Sequence, residues 1–268
     1  MMIRALWTGA TGMRAQQFMI DSIAHDLTNV NTVGYKKKFV SFTDLFYQGL
    51  RASGVQGQQG YLPAGIQVGH GVRVSGTSPV LTRGNAIETG TWSDMMIEDS
   101  GNITRNFFRV LLPDGSYAYT RDGTFRVDDQ GRLATNDGYF LDPLPGNIPA
   151  DAVQVTITPE GYVEVIQGPD RTATRLGQIS LWTFANPGGL EPIGENLWKE
   201  SATSGAAQQG APGSPGFGRI RSGWLEQSNV DAITEMVNMI AAQRAYEFNS
   251  RSIQTSDEML QTVNTLKR

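Results

Sequence analysis

Cysteine is missing from this 268-residue chain, and histidine is nearly so, with only His25 and His70. That excludes disulfides, thiol nucleophiles and cysteine-ligated metals. The two histidines show no HxxxH spacing, so no metal site is expected. Gly69-His70-Gly71 reads as backbone punctuation, and no GxSxG elbow accompanies either histidine. The Gly-rich stretch 205–218 lacks the GxxxxGK[ST] order that cradles phosphate. Charge is sparse as well, at 18% of residues with a formal net of −4, which removes the basic face a nucleic-acid binder needs. Lys36-Lys37-Lys38 is the one basic cluster, and it reads as a solvated face.

No apolar run approaches the ~18 residues of a membrane span, so no membrane insertion is expected. The apolar residues at the N-terminus are periodic and broken by Arg4, Gly9, Gly12 and Arg14. They therefore lack the continuous core of a cleaved signal peptide. Adjacent carboxylates occur at Asp128-Asp129 and Glu98-Asp99, but neighbours on a strand point to opposite faces and cannot flank a substrate cleft. Trp7, Trp92, Trp182, Trp198 and Trp224 are scattered in the manner of packing residues. No catalytic constellation and no cofactor site stands above background.

What the chain does carry is the same pattern at both ends. Ile3, Leu6, Ala10, Met13, Gln17, Ile20, Ala24 and Leu27 recur at three- and four-residue spacing. So do Ala241, Ala245, Phe248, Ser252, Thr255, Met259, Thr262 and Leu266, preceded by Val230, Ile233, Val237 and Ile240. Such spacing keeps one helical stripe facing a partner, and a lone helix cannot bury it in water. Trp7, Phe18, Met19, Ile23 and Val30 lie off the first seam, so that helix needs a second neighbour. The first helix is expected at about 3–29, although Gly9 and Gly12 each cost roughly 1 kcal/mol relative to Ala. The last is expected after Trp224, with Ser228 and Asn229 as N-cap candidates.

Between the ends, 31 Gly and 12 Pro point to turns and extended chain. Residues 35–71 read as an extended connector with a short amphipathic piece at 39–50. Residues 72–221 read as β structure, with turn signals at Pro113-Asp114-Gly115, Arg121-Asp122-Gly123, Asp128-Asp129-Gln130-Gly131, Asn136-Asp137-Gly138 and Pro159-Glu160-Gly161. Residues 201–218 read as a low-complexity loop. The fold class is α+β and elongated. Residues 1–34 and 225–268 form a coiled-coil-type helical domain, 35–71 a connector and 72–224 a β-rich middle domain.

The segment IDSIAHDLTNVNTVGYK at 20–36 resembles the N-terminal signature of the flagellar rod and hook protein family. LEQSNVDAITEMVNMIAAQRAYEFN at 225–249 resembles the C-terminal one. MIRALW at 2–7, LPAGIQV at 62–68, VLLPDGSYAYTRDG at 110–123 and IGENL at 193–197 extend the resemblance over most of the chain. It singles out Asn29, Asn31, Thr32, Gly34 and Tyr35 as motif residues. Ile97 to Phe108 departs from it, being longer and more polar than the family's short strand.

The resemblance implies a non-enzymatic subunit polymerised helically into the drive shaft between proximal rod and hook. Its implied partners are copies of itself, proximal rod and hook proteins, the surrounding ring proteins and the flagellar export apparatus. It implies passage through that apparatus unfolded, with Phe42 and Phe46 matching a Phe-x-x-x-apolar export pattern. The alternatives are a proximal rod or hook subunit and, from another class, a periplasmic glycan hydrolase.

Overall fold

The computed structural model describes residues 2–51, 56–57, 60–61, 65–99, 101, 104–167 and 172–266. The chain forms two compact units: Met1–Leu27, Lys38–Ser78 and Ala232–Arg268 make one, Thr28–Lys37 and Pro79–Asp231 the other. The boundaries drawn from sequence do not coincide with these units. Residues 38–71 group with the helices, while 28–34 and 225–231 group with the β structure.

The first unit holds α1, Met2–Thr28, and α2, Ala232–Leu266. The two helices touch where α1 is smallest. A Cβ added to Gly9 would lie 2.9 Å from Ile253 Cγ1, and one added to Gly12 would lie 2.9 Å from Asn249 Nδ2. Rising numbers on α1 meet falling numbers on α2, so the helices run antiparallel at this contact. The close approach replaces the helix propensity that Gly9 and Gly12 forfeit.

The stripe turned inward follows from that contact. On α1 it runs through Gly9, Ala15, Ile23 and Asp26, all buried. On α2 it runs through Glu235, Ala242 and Ser256, buried, with Met239, Asn249, Ile253 and Leu260 partly covered. Each inward stripe lies one residue from the seam read from sequence: Gly9 beside Ala10, Ile23 beside Ala24, Ala242 beside Ala241 and Ser256 beside Thr255. One residue is about 100° of helix rotation. Counting apolar residues passes over glycine, yet here glycine fixes which sides of the helices come together.

The remainder of this unit is paired strand. Lys38–Asp44 pairs with Val72–Pro79, and Tyr47–Arg51 runs antiparallel to Ile66–Gly69. The amphipathic piece at 39–50 is therefore two strands, with Val40 buried and Leu45 N–H donating to Gly71 O at 2.8 Å.

The second unit is built on a nine-stranded antiparallel sheet and a three-stranded one, Ala152–Ile157, Tyr162–Gln167 and Thr172–Gln178. Adjacent residues on its strands point to opposite faces. Phe108, Ala118, Leu181 and Leu197 enter the main core with Met95, Phe125 and Ile179. Their neighbours Phe107, Tyr119, Trp182 and Trp198 build a second, aromatic cluster with Phe184 and Leu190. Hairpins form at four of the expected turns, joining Asn106–Leu111 to Tyr117–Thr120, Phe125–Val127 to Leu133–Thr135, the latter to Phe140–Asp142, and Ala152–Ile157 to Tyr162–Gln167.

Two local expectations are corrected. Residues 201–218 are not wholly loop, because Gln208–Gly210 pairs with Leu181–Thr183. Ser228 and Asn229 do not cap α2, which begins at Ala232. Asn229 is engaged elsewhere: its Oδ1 accepts from Lys37 N–H at 2.8 Å and its Nδ2 donates to Val80 O at 2.8 Å.

Candidate functional site

The outer surface of the helices carries most of the residues that sequence periodicity selects. On α2, Ile233 is 75% exposed, Phe248 67% and Leu266 80%, with Val237, Ile240 and Met259 at least half exposed. Ala245 is half-buried. On α1, Leu6, Ala10, Met13, Ile20, Ala24 and Leu27 are half-buried, flanking the inward stripe, and the side chain of Ile3 lies outside the described residues. Val230 precedes α2 and is buried at 8% exposure in the β unit. The selected residues are therefore not one continuous surface. Those on α2 other than Ala245 are open, those described on α1 are partly covered, and Val230 is core.

The motif at 29–35 forms a tight, docked loop. Thr32 N–H donates to Asn29 O and its hydroxyl to Asn29 Oδ1. Tyr35 N–H donates to Thr32 O, and Tyr35 is buried, whereas Asn31 is exposed. Gly34 has φ +71°, and its N–H donates to Glu226 O at 2.7 Å. A Cβ at Gly34 would sit 2.7 Å from the carbonyl carbon of Arg121, so both handedness and space demand glycine. Asn196 Nδ2 donates to Val33 O at 2.6 Å, holding the loop from another side.

This loop delivers Lys36 to a buried ion network that the sequence reading missed. Lys36 is not on a solvated face: it is 1% exposed, and its Nζ lies 2.5 Å from Glu226 Oε1 and 2.8 Å from Thr82 O. The other carboxylate oxygen, Oε2, accepts from Arg121 Nε at 2.9 Å and Nη2 at 2.6 Å. Gly84 N–H donates to Oε1 at 2.9 Å. Arg121 also donates to Asn106 O and Ile97 O and pairs with Asp99 at 3.0 Å. Asn106 Nδ2 donates in turn to Asp99 Oδ1.

Two cations and two anions thus balance in a site closed to water. Burial alone would push the Glu226 carboxyl up, but Arg121 and Lys36 outweigh it and hold the group below the usual carboxylate range. The unusually polar stretch from Ile97 to Phe108 supplies the side chains of Asp99 and Asn106 and the carbonyls of Ile97 and Asn106 to this cluster. Its residues 100 and 102–103 lie outside the described residues.

Phe42 lies on the strand Lys38–Asp44 at 38% exposure, and Phe46 follows that strand at 91%. Phe46 therefore has no packing role in this fold. Among the described residues no group of three His, Asp or Glu side chains is placed to hold a metal ion, and no helix is long and apolar enough to cross a membrane.

Paired terminal helices with an open apolar face, joined in sequence to a β unit, define a class of assembly subunit. The chain belongs to the flagellar basal-body rod proteins of the FlgG family. Residues 221–266 match the family described as "Flagellar basal body rod FlgEFG protein C-terminal", and 103–165 match "Flagellar hook protein FlgE/F/G D1 domain". The chain is 48% identical to the flagellar basal-body rod protein FlgG of Borreliella burgdorferi over 271 residues, covering all of both chains. It is 42% identical to FlgG of Caulobacter vibrioides, over 99% of this chain and 100% of that one. It is 40% identical to FlgG of Bacillus subtilis over the full length of both. The chain is a structural subunit of the distal rod and not an enzyme.

Proposed function

We propose that this subunit polymerises helically through its terminal helices and transmits torque from the motor to the hook. The observation that carries this reading is the open stripe of α2. Ile233, Val237, Ile240, Phe248, Met259 and Leu266 are 52–80% exposed along one helix. Burying each large apolar side chain contributes roughly 1.5–3 kcal/mol, so a few of them suffice to hold copies together. With Leu6, Ala10, Met13, Ile20, Ala24 and Leu27 at the margins of the helix contact, both helices contribute to the seam.

In this reading the ends of the homopolymer meet proximal rod and hook proteins, and its outside meets the ring proteins. The chain reaches its place unfolded through the flagellar export apparatus, with Phe42 and Phe46 as recognition residues. Sedimentation of the purified chain over a hundredfold concentration range, with electron microscopy of the pellet, tests the polymer. Straight filaments above a threshold concentration are expected, and a monomer at every concentration sinks the reading.

A further inference from the structure

We propose that Asn229 and Glu226 form a mechanical clasp, binding together the places where the chain enters and leaves the β unit. The clasp presupposes the torque transmission proposed above and adds where the subunit carries its load. The chain crosses between the two units four times, at 27–28, 37–38, 78–79 and 231–232. One residue laces three of these crossings. Asn229 Oδ1 accepts from Lys37 N–H at 2.8 Å, and Nδ2 donates to Val80 O at 2.8 Å and Thr82 Oγ1 at 3.0 Å. Its backbone N–H donates to Tyr35 O at 3.3 Å, and Val80 N–H donates to Lys37 O at 2.8 Å. A short amide suits this place because it offers an acceptor and two donors at once. Aspartate would keep the bond from Lys37 and set a second acceptor against Val80 O.

Glu226 adds a second tie between the same two segments, 34–37 and 226–229. Its carbonyl O accepts from Gly34 N–H at 2.7 Å, and its Oε1 lies 2.5 Å from Lys36 Nζ. Gly34 meets Glu226, and Tyr35 and Lys37 meet Asn229, so numbers rise together and the segments run in the same direction. A subunit gripped by α1 and α2 is loaded at the N-terminal end of 34–37 and the C-terminal end of 226–229. Such tension slides one segment along the other and strains several bonds at once, instead of opening them in turn. While those bonds hold, tension along the chain passes from one linker to the other and bypasses residues 38–225.

Pulling the full-length monomer by its ends tests the clasp without any polymer. The chain has no cysteine, so one added at each end gives unique handles. Once the helices part, one rupture is expected to free the stretch between Lys36 and Glu226, which are 190 positions apart. At ~3.3–3.6 Å per residue, that stretch has a contour of roughly 630–680 Å. Asn229→Ala and Asn229→Asp should each shorten the lifetime of the clasp at fixed force at least about tenfold, through the hydrogen bonds they remove. Gln227→Ala should leave it unchanged, because that side chain is exposed and the residue is held by its backbone N–H on Asn85 O. Denaturant midpoints followed by tryptophan fluorescence report whether each variant folds. Should Asn229→Ala not fold, Asn229→Asp, which keeps the acceptor for Lys37, carries the test. Equal lifetimes for wild type and the folded Asn229 variants, or lengthening in many small steps at low force, overturns the clasp. A chain that shows the single rupture yet never forms filaments keeps the clasp and removes the torque reading.

Discussion

Lys36 and Glu226 stand 190 positions apart in sequence and 2.5 Å apart in space, with neither side chain more than 1% exposed. The residue just after the docked N-terminal loop is thereby bound to the segment that leads into α2. Arg121 completes the bond from the middle of the chain. Three distant stretches must meet before Glu226 holds both cations, so the network closes only in the folded β unit.

Glu226→Gln should cost about 3–5 kcal/mol of unfolding free energy, because it leaves Lys36 buried without its counter-charge and Arg121 with Asp99 alone. Arg175→Ala serves as the control. Its pair with Glu164 spans 2.8 Å with Arg175 65% exposed, and its loss should cost no more than about 1 kcal/mol. Denaturant titration of both variants, followed by tryptophan fluorescence of the β unit, measures the difference. Equal losses would show that the network contributes no more than a surface pair.

The same carboxylate sets a pH dependence. Glu226 titrates lower in the folded chain than in the unfolded one, so the folded state binds fewer protons there. Its contribution is present in full above the ordinary carboxylate pKa and is lost as pH falls through the lower folded value. Melting temperature should hold from pH 7 to about 5 and fall below the ordinary carboxylate pKa of ~4.3. Glu226→Gln should start lower and fall less steeply over the acid range. Parallel curves for the two proteins would exclude Glu226 as the group responsible.

The helical ends were legible because 3–4 spacing survives over seven turns, and most β hairpins were legible because Asp-Gly and similar turns punctuate them. The facing of the helices was not. Two neighbouring stripes on each helix carry acceptable spacing, and apolar content favours the one with larger side chains. The packed stripe instead passes through Gly9, Gly12 and Asn249, which such counting scores low. Lys36 was illegible for a different reason: a lysine run looks solvated until residues 84, 121 and 226 are brought to it by the fold. Each of Lys36, Arg121 and Glu226 does lie inside a stretch that resembles the rod family, and that was the available signal.

Phe248→Asp should block filament formation without unfolding the monomer, since Phe248 is 67% exposed. Ile253→Asp is the contrasting change. It places a charge where α1 and α2 touch, at a cost of several kcal/mol, and should loosen the helix pair itself. Circular dichroism and sedimentation on both variants separate the two effects. Assembly of Phe248→Asp at the wild-type level would mean that this stripe faces solvent in the filament too.

Phe46→Ser tests the export role more cleanly than a deletion, which would remove the strand Lys38–Asp44 and its pairing. At 91% exposure Phe46 contributes nothing to the folded unit, so stability should change by less than about 0.5 kcal/mol. Secretion in cells should nevertheless fall, while the purified variant polymerises normally. Unchanged secretion assigns recognition elsewhere in the chain.

Removal of residues 53–63 tests whether the connector stiffens the filament. Most of that stretch lies outside the described residues, but the strands on either side are paired, with Tyr47 opposite Gly69 and Arg51 opposite Ile66. The deletion leaves residues 52, 64 and 65 between Arg51 and Ile66, and a three-residue loop closes a hairpin without strain. The fold should therefore survive. Leu50 and Ile66 at the base of the connector are nearly half exposed and open to another chain. A drive shaft needs neighbouring subunits locked against sliding, and a connector that contacts the next copy would supply that lock. Filaments of the shortened chain should bend or fail to form, with the melting curve of the β unit unchanged. Electron micrographs showing filaments as straight as those of the full chain would place the source of stiffness in the helices.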